Sequence, residues 1–120
     1  MVRRPRIERA SETDIAFGVL VIASFQPNGV ATFRRLHHEI PIHVRLSDFD
    51  TAESVMNENE QNWVRRLRSI KANAHLPGNF VHDGYLIHIP HVGYRITPLG
   101  LSRRMRGRHD RRPTAGQSVA

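Results

Sequence analysis

The stretch Asn62–Thr97, NWVRRLRSIKANAHLPGNFVHDGYLIHIPHVGYRIT, is the most informative about the fold, because its hydrophobic period changes from a helical to a strand-like one. In its first part Trp63, Leu67, Ile70 and Ala74 recur at helical spacing. Residues spaced in this way lie on one side of a helix, within a narrow sector. The pattern therefore predicts a helix with the Trp63 indole directed into the core, which is more typical of a tryptophan at this spacing than an exposed stacking role.

The second part of the same stretch predicts a β-hairpin. Leu-Pro-Gly-Asn at 76–79 ends the helix, since Pro and Gly interrupt helical structure. Two β-rich runs follow at 85–89 and 94–97, separated by the turn residues Pro-His-Val-Gly at 90–93. Paired runs of this composition around a Pro/Gly turn are typical of a hairpin.

The residues on either side of this stretch predict further helices and one short strand. They are a helix that starts near Glu12 and ends at Pro27-Asn28-Gly29, an extended piece over 30–32, a helix over 33–40 closed by Pro41, the helix of Trp63 extended back to Asp48 or Asp50, and a last helix capped by Thr97-Pro98. The order helix, strand, helix, helix, hairpin, helix predicts an α+β, mainly α, winged helix-turn-helix: a three-helix core, a C-terminal hairpin wing and a fourth helix.

Several motifs resemble a known family. They are Asn62–Leu67, Leu86–Pro90, Val92–Gly100 and the Gly29-x-Ala31-Thr32-x-x-x-Leu36 pattern. Together they resemble the N-terminal domain of Mrr-type restriction endonucleases over about residues 15–100. The resemblance implies a winged-helix module that recognises DNA. It does not imply cleavage, because those enzymes cut with paired carboxylates and a lysine in a further domain, whereas the single lysine here, Lys71, lies in a predicted helix.

The net charge of +7 is concentrated at the ends of the chain. Residues 1–10 carry four Arg and one Glu, residues 101–120 carry six Arg and one Asp, and residues 11–100 have a net charge of −1. We therefore expect a basic flexible arm at 1–10, a folded domain at 11–106 and a disordered Arg-rich tail at 107–120. Basic ends attract the phosphate backbone whatever its sequence, although biased codon usage with merely solvated tails is an alternative.

Polar side chains on the outer side of the Trp63 helix are candidates for contacts with double-stranded DNA. The full set of candidates is Gln61, Asn62, Arg65, Arg66, Arg68 and Ser69 in the major groove, His91 and Arg95 in the wing, and Arg103 and Arg104 as phosphate clamps. A second interpretation needs no ligand: early acids and late bases stabilise a long helix through its dipole. Glu58, on the same side of the predicted helix, would also repel phosphate.

Other function classes receive less support. Cysteine is absent, and none of the eight histidines has the spacing of a metal motif, so we predict no metal, no cofactor and no catalytic residue. The longest apolar run, Ile15–Ala23, is too short for a bilayer. We expect a cytoplasmic module that binds double-stranded DNA, either a transcriptional regulator or the stand-alone recognition domain of a restriction system, and not an enzyme. A protein-interaction module that does not bind DNA is the alternative, and a homodimer formed through residues 99–105 is left open.

Overall fold

Five helices and a three-stranded antiparallel sheet make up residues 9–55 and 59–107, the part of the chain that the computed structural model describes. The elements are α1 (Glu12–Ser24), β1 (Val30–Thr32), α2 (Phe33–His43), α3 (Asp48–Thr51), α4 (Asn62–Ala72), β2 (Leu86–Ile89), β3 (Gly93–Ile96) and α5 (Pro98–Arg106). The domain is α+β and mainly helical, as the sequence predicts.

Helix α1 lies at the centre of the core. Its start is determined by a capping box, in which the Ser11 hydroxyl accepts from the backbone N–H of Asp14 and the Asp14 carboxylate accepts from the N–H of Ser11. The helix packs against α2, α4, α5 and the sheet. Because it is covered on so many sides, its apolar residues occupy nearly the whole circumference.

The sheet has β3 in the middle, between β1 and β2. The hairpin and the short strand predicted from the sequence are confirmed, with ends that differ by at most one residue. Tyr94 pairs with Ala31 on one side and His88 on the other. Successive strand residues point to opposite faces, so Tyr94 is buried while Arg95 is exposed on the other face.

Tyr94 connects the sheet to α4. Its hydroxyl donates to the backbone carbonyl of Leu67 at 3.2 Å. Burial raises the pKa of the Tyr94 phenol from 10.0 to about 12. The buried hydroxyl therefore stays protonated over a range in which the same group in the unfolded chain ionises.

Stability is expected to fall as the pH rises from about 10 to about 12. The folded-state pKa is the higher one, so this contribution is complete below pH 10.0 and is lost as the pH approaches the folded value. The free energy of unfolding is expected to fall by about 1–3 kcal/mol over this range. Urea unfolding across this range measures it. Tyr94→Phe should show a flatter pH dependence than the parent protein, and an equal slope in both would contradict the assignment to Tyr94.

The predicted end of α2 is wrong. Pro41 was expected to close the helix at Ile40, but α2 continues to His43 with Pro41 inside it. Pro41 cannot donate a backbone hydrogen bond. The last turn nevertheless forms because Ile40 and Val44 are buried and the N–H of Val44 donates to the Ile40 carbonyl at 2.9 Å.

The long helix predicted from Asp48 or Asp50 to Ala74 is also wrong. It is divided into the single turn of α3 and the separate helix α4. Between them the described residues fold back: Glu53 forms a β-bridge with Gln61, and the N–H of Asn62 donates to the Ala52 carbonyl at 2.9 Å. These non-local hydrogen bonds replace the helical ones that the sequence analysis assumed.

The described residues exclude 1–8, 56–58 and 108–120, so the predicted terminal segments lie mostly outside them, as does Glu58. The end of the predicted arm is fixed to the fold: Ala10 is buried and its N–H donates to the Asp50 carboxylate at 2.9 Å. Within the described ranges, no helix has the length and apolar character needed to cross a membrane.

Candidate nucleic-acid interface

Helix α4 has one buried side and one solvent-facing side. Trp63, Leu67 and Ile70 are buried, with Trp63 only 2% exposed, which confirms the predicted inward orientation of the indole. The opposite side exposes Arg65 and Arg68. We call this side, which consists of Gln61, Arg65, Arg68 and Ala72, the outer face of α4. Its side chains are small, polar or cationic.

Two predicted contact residues at the start of α4 are engaged within the protein. Asn62 is buried, and its side-chain amide donates to the Phe49 carbonyl at 2.8 Å. It joins α4 to α3 and does not lie on the outer face, where the sequence analysis placed it beside the arginines. Gln61 is exposed, but its side-chain oxygen accepts from the Trp63 indole N–H at 2.8 Å.

The remaining polar residues of α4 differ in their partners. Arg68 forms a salt bridge with Glu60, which lies just before the helix. Exposed pairs of this kind contribute little stability, so a phosphate can replace the carboxylate. The Ser69 hydroxyl donates back to the Arg65 carbonyl at 2.9 Å. Arg65 makes no salt bridge among the described residues.

A polar concavity of about 340 Å³ lies on one side of the outer face, and we call it the α1–α4 cleft. It brings Arg9 next to Arg65 and Arg66. The Arg9 guanidinium lies over the Phe49 ring, 3.8 Å from its centroid, which fixes the charge at the rim by a cation–π contact. The sequence predicts that Arg9 lies in a flexible arm and outside the interface. No local pattern pairs residue 9 with Phe49.

The carboxylate in this cleft is already bound by amides of the protein. Glu12 accepts from the side-chain amides of Asn73 at 2.7 Å and Asn79 at 3.0 Å. Each of its oxygens accepts one amide hydrogen bond, so Glu12 has partners within the protein other than the cleft arginines. The arginines of the α1–α4 cleft can therefore meet an external anion.

A larger cleft of about 800 Å³ lies on the other side of α4, between α2, α4 and the hairpin. We call it the α4–hairpin cleft. Lys71 from α4 and His91 from the hairpin turn both line it. Burial, followed by the charges of Lys71 and His91, lowers the pKa of His88. His91, predicted as a wing contact, is thus brought to the same side of the domain as α4.

Three other predicted contact residues are not brought to α4. Arg95 lies on the sheet face opposite Tyr94. Arg103 packs against α1, with its guanidinium 5.3 Å from the Phe17 ring centroid. Arg104 donates to the Ser24 hydroxyl at 3.3 Å. Neither cleft beside α4 contains any of these three arginines. Because successive residues of a strand point to opposite faces of the sheet, the sequence alone could have placed Arg95 on the face opposite Tyr94.

Among positions 9–55 and 59–107, no group of three or more His, Asp or Glu side chains converges in a way that could hold a metal ion. Comparisons with protein-family models, with the curated proteins and with the solved structures found no match to this chain.

Proposed function

We propose that the domain is a winged helix-turn-helix that binds double-stranded DNA, with α4 in the major groove and the β2–β3 hairpin as the wing. Three features support the proposal: the element order, the central position of β3 between β1 and β2, and the hairpin placed directly after α4. The sequence resemblance to the N-terminal domain of Mrr-type restriction endonucleases belongs to the same proposal. In that plan the helix before the hairpin enters the groove.

The observation that carries the proposal is the distribution of cations around α4. Arg65 and Arg68 are on the outer face, Arg9 and Arg66 line the cleft on one side, and Lys71 lines the cleft on the other. Arginine on a groove-facing helix can contact guanine with two hydrogen bonds, and cations at the helix margins suit phosphates. Helix α4 and the clefts on its two sides thus carry cations suited to contacts with bases and with phosphates.

The alternative of a protein-binding surface on α4 has less support. A protein interface typically has a core of large apolar side chains. The large hydrophobic side chains that are exposed in the described part of the chain lie on other elements, as with Phe25, Ile42 and Met105, and α4 contributes none. We therefore place DNA and not a protein on the outer face of α4.

A salt titration of duplex binding tests the function. Fluorescence anisotropy of a labelled random-sequence duplex with the full chain should give an association constant that falls linearly in a log–log plot against salt. If about four to six phosphates are neutralised, the slope is about −4 to −5. Absence of binding above background to any duplex at low salt would overturn the proposal.

A further inference from the structure

The α4–hairpin cleft has the dimensions of a small-molecule site. Its volume of about 800 Å³ lies within the range of about 300–1,000 Å³ that is usual for ligand pockets. Apolar side chains form much of its lining, among them Val64 and Leu67 of α4. Both residues are held by the core, so this wall is built before any ligand arrives.

Aromatic rings form the opposite wall. The Phe33 ring lies edge-to-face with Tyr94, with 5.7 Å between their centroids, and the His88 ring lies 5.4 Å from Tyr94 and 6.2 Å from Phe33. Tyr94 is buried, whereas Phe33 and His88 are only half-buried. These two rings therefore present aromatic surface to the cleft, and a planar aromatic ligand is the natural partner for such a surface.

One lysine and one hydrogen-bonding histidine in the lining favour an anion. Lys71 is exposed and makes no salt bridge among the described residues. His91 lines the same cleft, in a left-handed backbone conformation with φ of 63° at the hairpin turn. The carboxylate in the lining, Glu60, is paired with Arg68. The ligand that fits thus combines an aromatic ring with a negative group.

We propose that the α4–hairpin cleft binds one nucleotide, with its base against Phe33 and His88 and its phosphate bound by Lys71 and His91. The bases of an intact duplex are stacked and paired, so they do not reach this cleft. The nucleotide is either free in solution or an unpaired residue of a nucleic-acid strand. This inference does not rest on duplex recognition by the outer face of α4.

Isothermal titration calorimetry with the full chain distinguishes the two sources. The probes are the four deoxynucleoside monophosphates, a fully paired duplex, and the same duplex with one unpaired base. Binding of a monophosphate indicates the free ligand. Tighter binding of the duplex with the unpaired base than of the paired one indicates a strand nucleotide.

Two variants assign the binding to the cleft. Phe33→Leu keeps an apolar side chain but removes the ring, and it should weaken nucleotide binding about tenfold because base–aromatic stacking is lost. Lys71→Gln changes an exposed residue and leaves the core untouched, and it should weaken binding severalfold through the lost phosphate contact. Arg95→Gln, on the far face of the sheet, removes the same charge and should leave nucleotide affinity unchanged.

The proposal is overturned if no monophosphate binds and the unpaired base brings no gain in affinity. It is also overturned if Lys71→Gln and Arg95→Gln bind nucleotide equally well. Binding of both duplexes with equal affinity, without monophosphate binding, would support DNA recognition while rejecting the nucleotide cleft. The two proposals can therefore fail separately.

Discussion

Replacing Arg65 by alanine is expected to weaken duplex binding by about tenfold or more. Arg65 is exposed on the outer face of α4, makes no salt bridge among the described residues and also lines the α1–α4 cleft. Its guanidinium can therefore meet a base edge or a phosphate without first breaking an internal ion pair. Loss of a guanine contact from a groove-facing arginine costs about 1–3 kcal/mol of binding free energy.

The matched control for this substitution is Arg95→Ala. Arg95 is also an exposed arginine, so the change in net charge is the same, but its side chain lies on the sheet face opposite Tyr94. Anisotropy titrations at one fixed salt concentration should separate the two variants, and thermal unfolding should show that both stay folded. Equal losses of affinity would mean that only net charge matters, and the role assigned to α4 would be wrong.

Gly93→Ala is expected to destabilise the domain by more than about 3 kcal/mol. Gly93 begins β3 opposite Thr32 of β1. A β-carbon at this position would lie far inside the van der Waals radius of the Ala31 carbonyl oxygen and 2.9 Å from the Thr32 α-carbon. Both neighbours are backbone atoms, which cannot rotate away as a side chain could. The substitution must therefore separate β1 from β3.

Gly78→Ala provides the comparison for Gly93→Ala. Gly78 has a φ of +91°, so alanine is strained there, but a β-carbon would have no atom within 4 Å. Its cost is expected to be about 1–2 kcal/mol, from the backbone alone. Urea unfolding of both variants measures the difference. If the Gly93→Ala variant were as stable as the Gly78→Ala variant, or more stable, this result would contradict the close approach of β1 and β3.

Some features of the fold and of the candidate interface follow from residues that are close together in the sequence. Trp63, Leu67 and Ile70 face inward because their spacing matches the helical period, and the hairpin forms where two β-rich runs surround a turn. Such patterns depend only on neighbouring residues, so the sequence alone establishes the helical turns from Trp63 to Ile70, the hairpin and the outward direction of Arg65 and Arg68, but not where α4 begins. It likewise predicts the start of α1 near Glu12 and the cap of α5 at Thr97-Pro98.

Other features required the folded chain. The break before α4, the burial of Asn62 against the Phe49 carbonyl and the arrival of Arg9 over the Phe49 ring all join residues far apart in sequence. Likewise, the α4–hairpin cleft exists only because Phe33 of α2, Lys71 of α4 and His91 of the hairpin meet. Periodicity records which side of an element is apolar, but it contains no information on which distant segment covers that side. Only tertiary packing decides this, because the free energy of such contacts depends on both partners together.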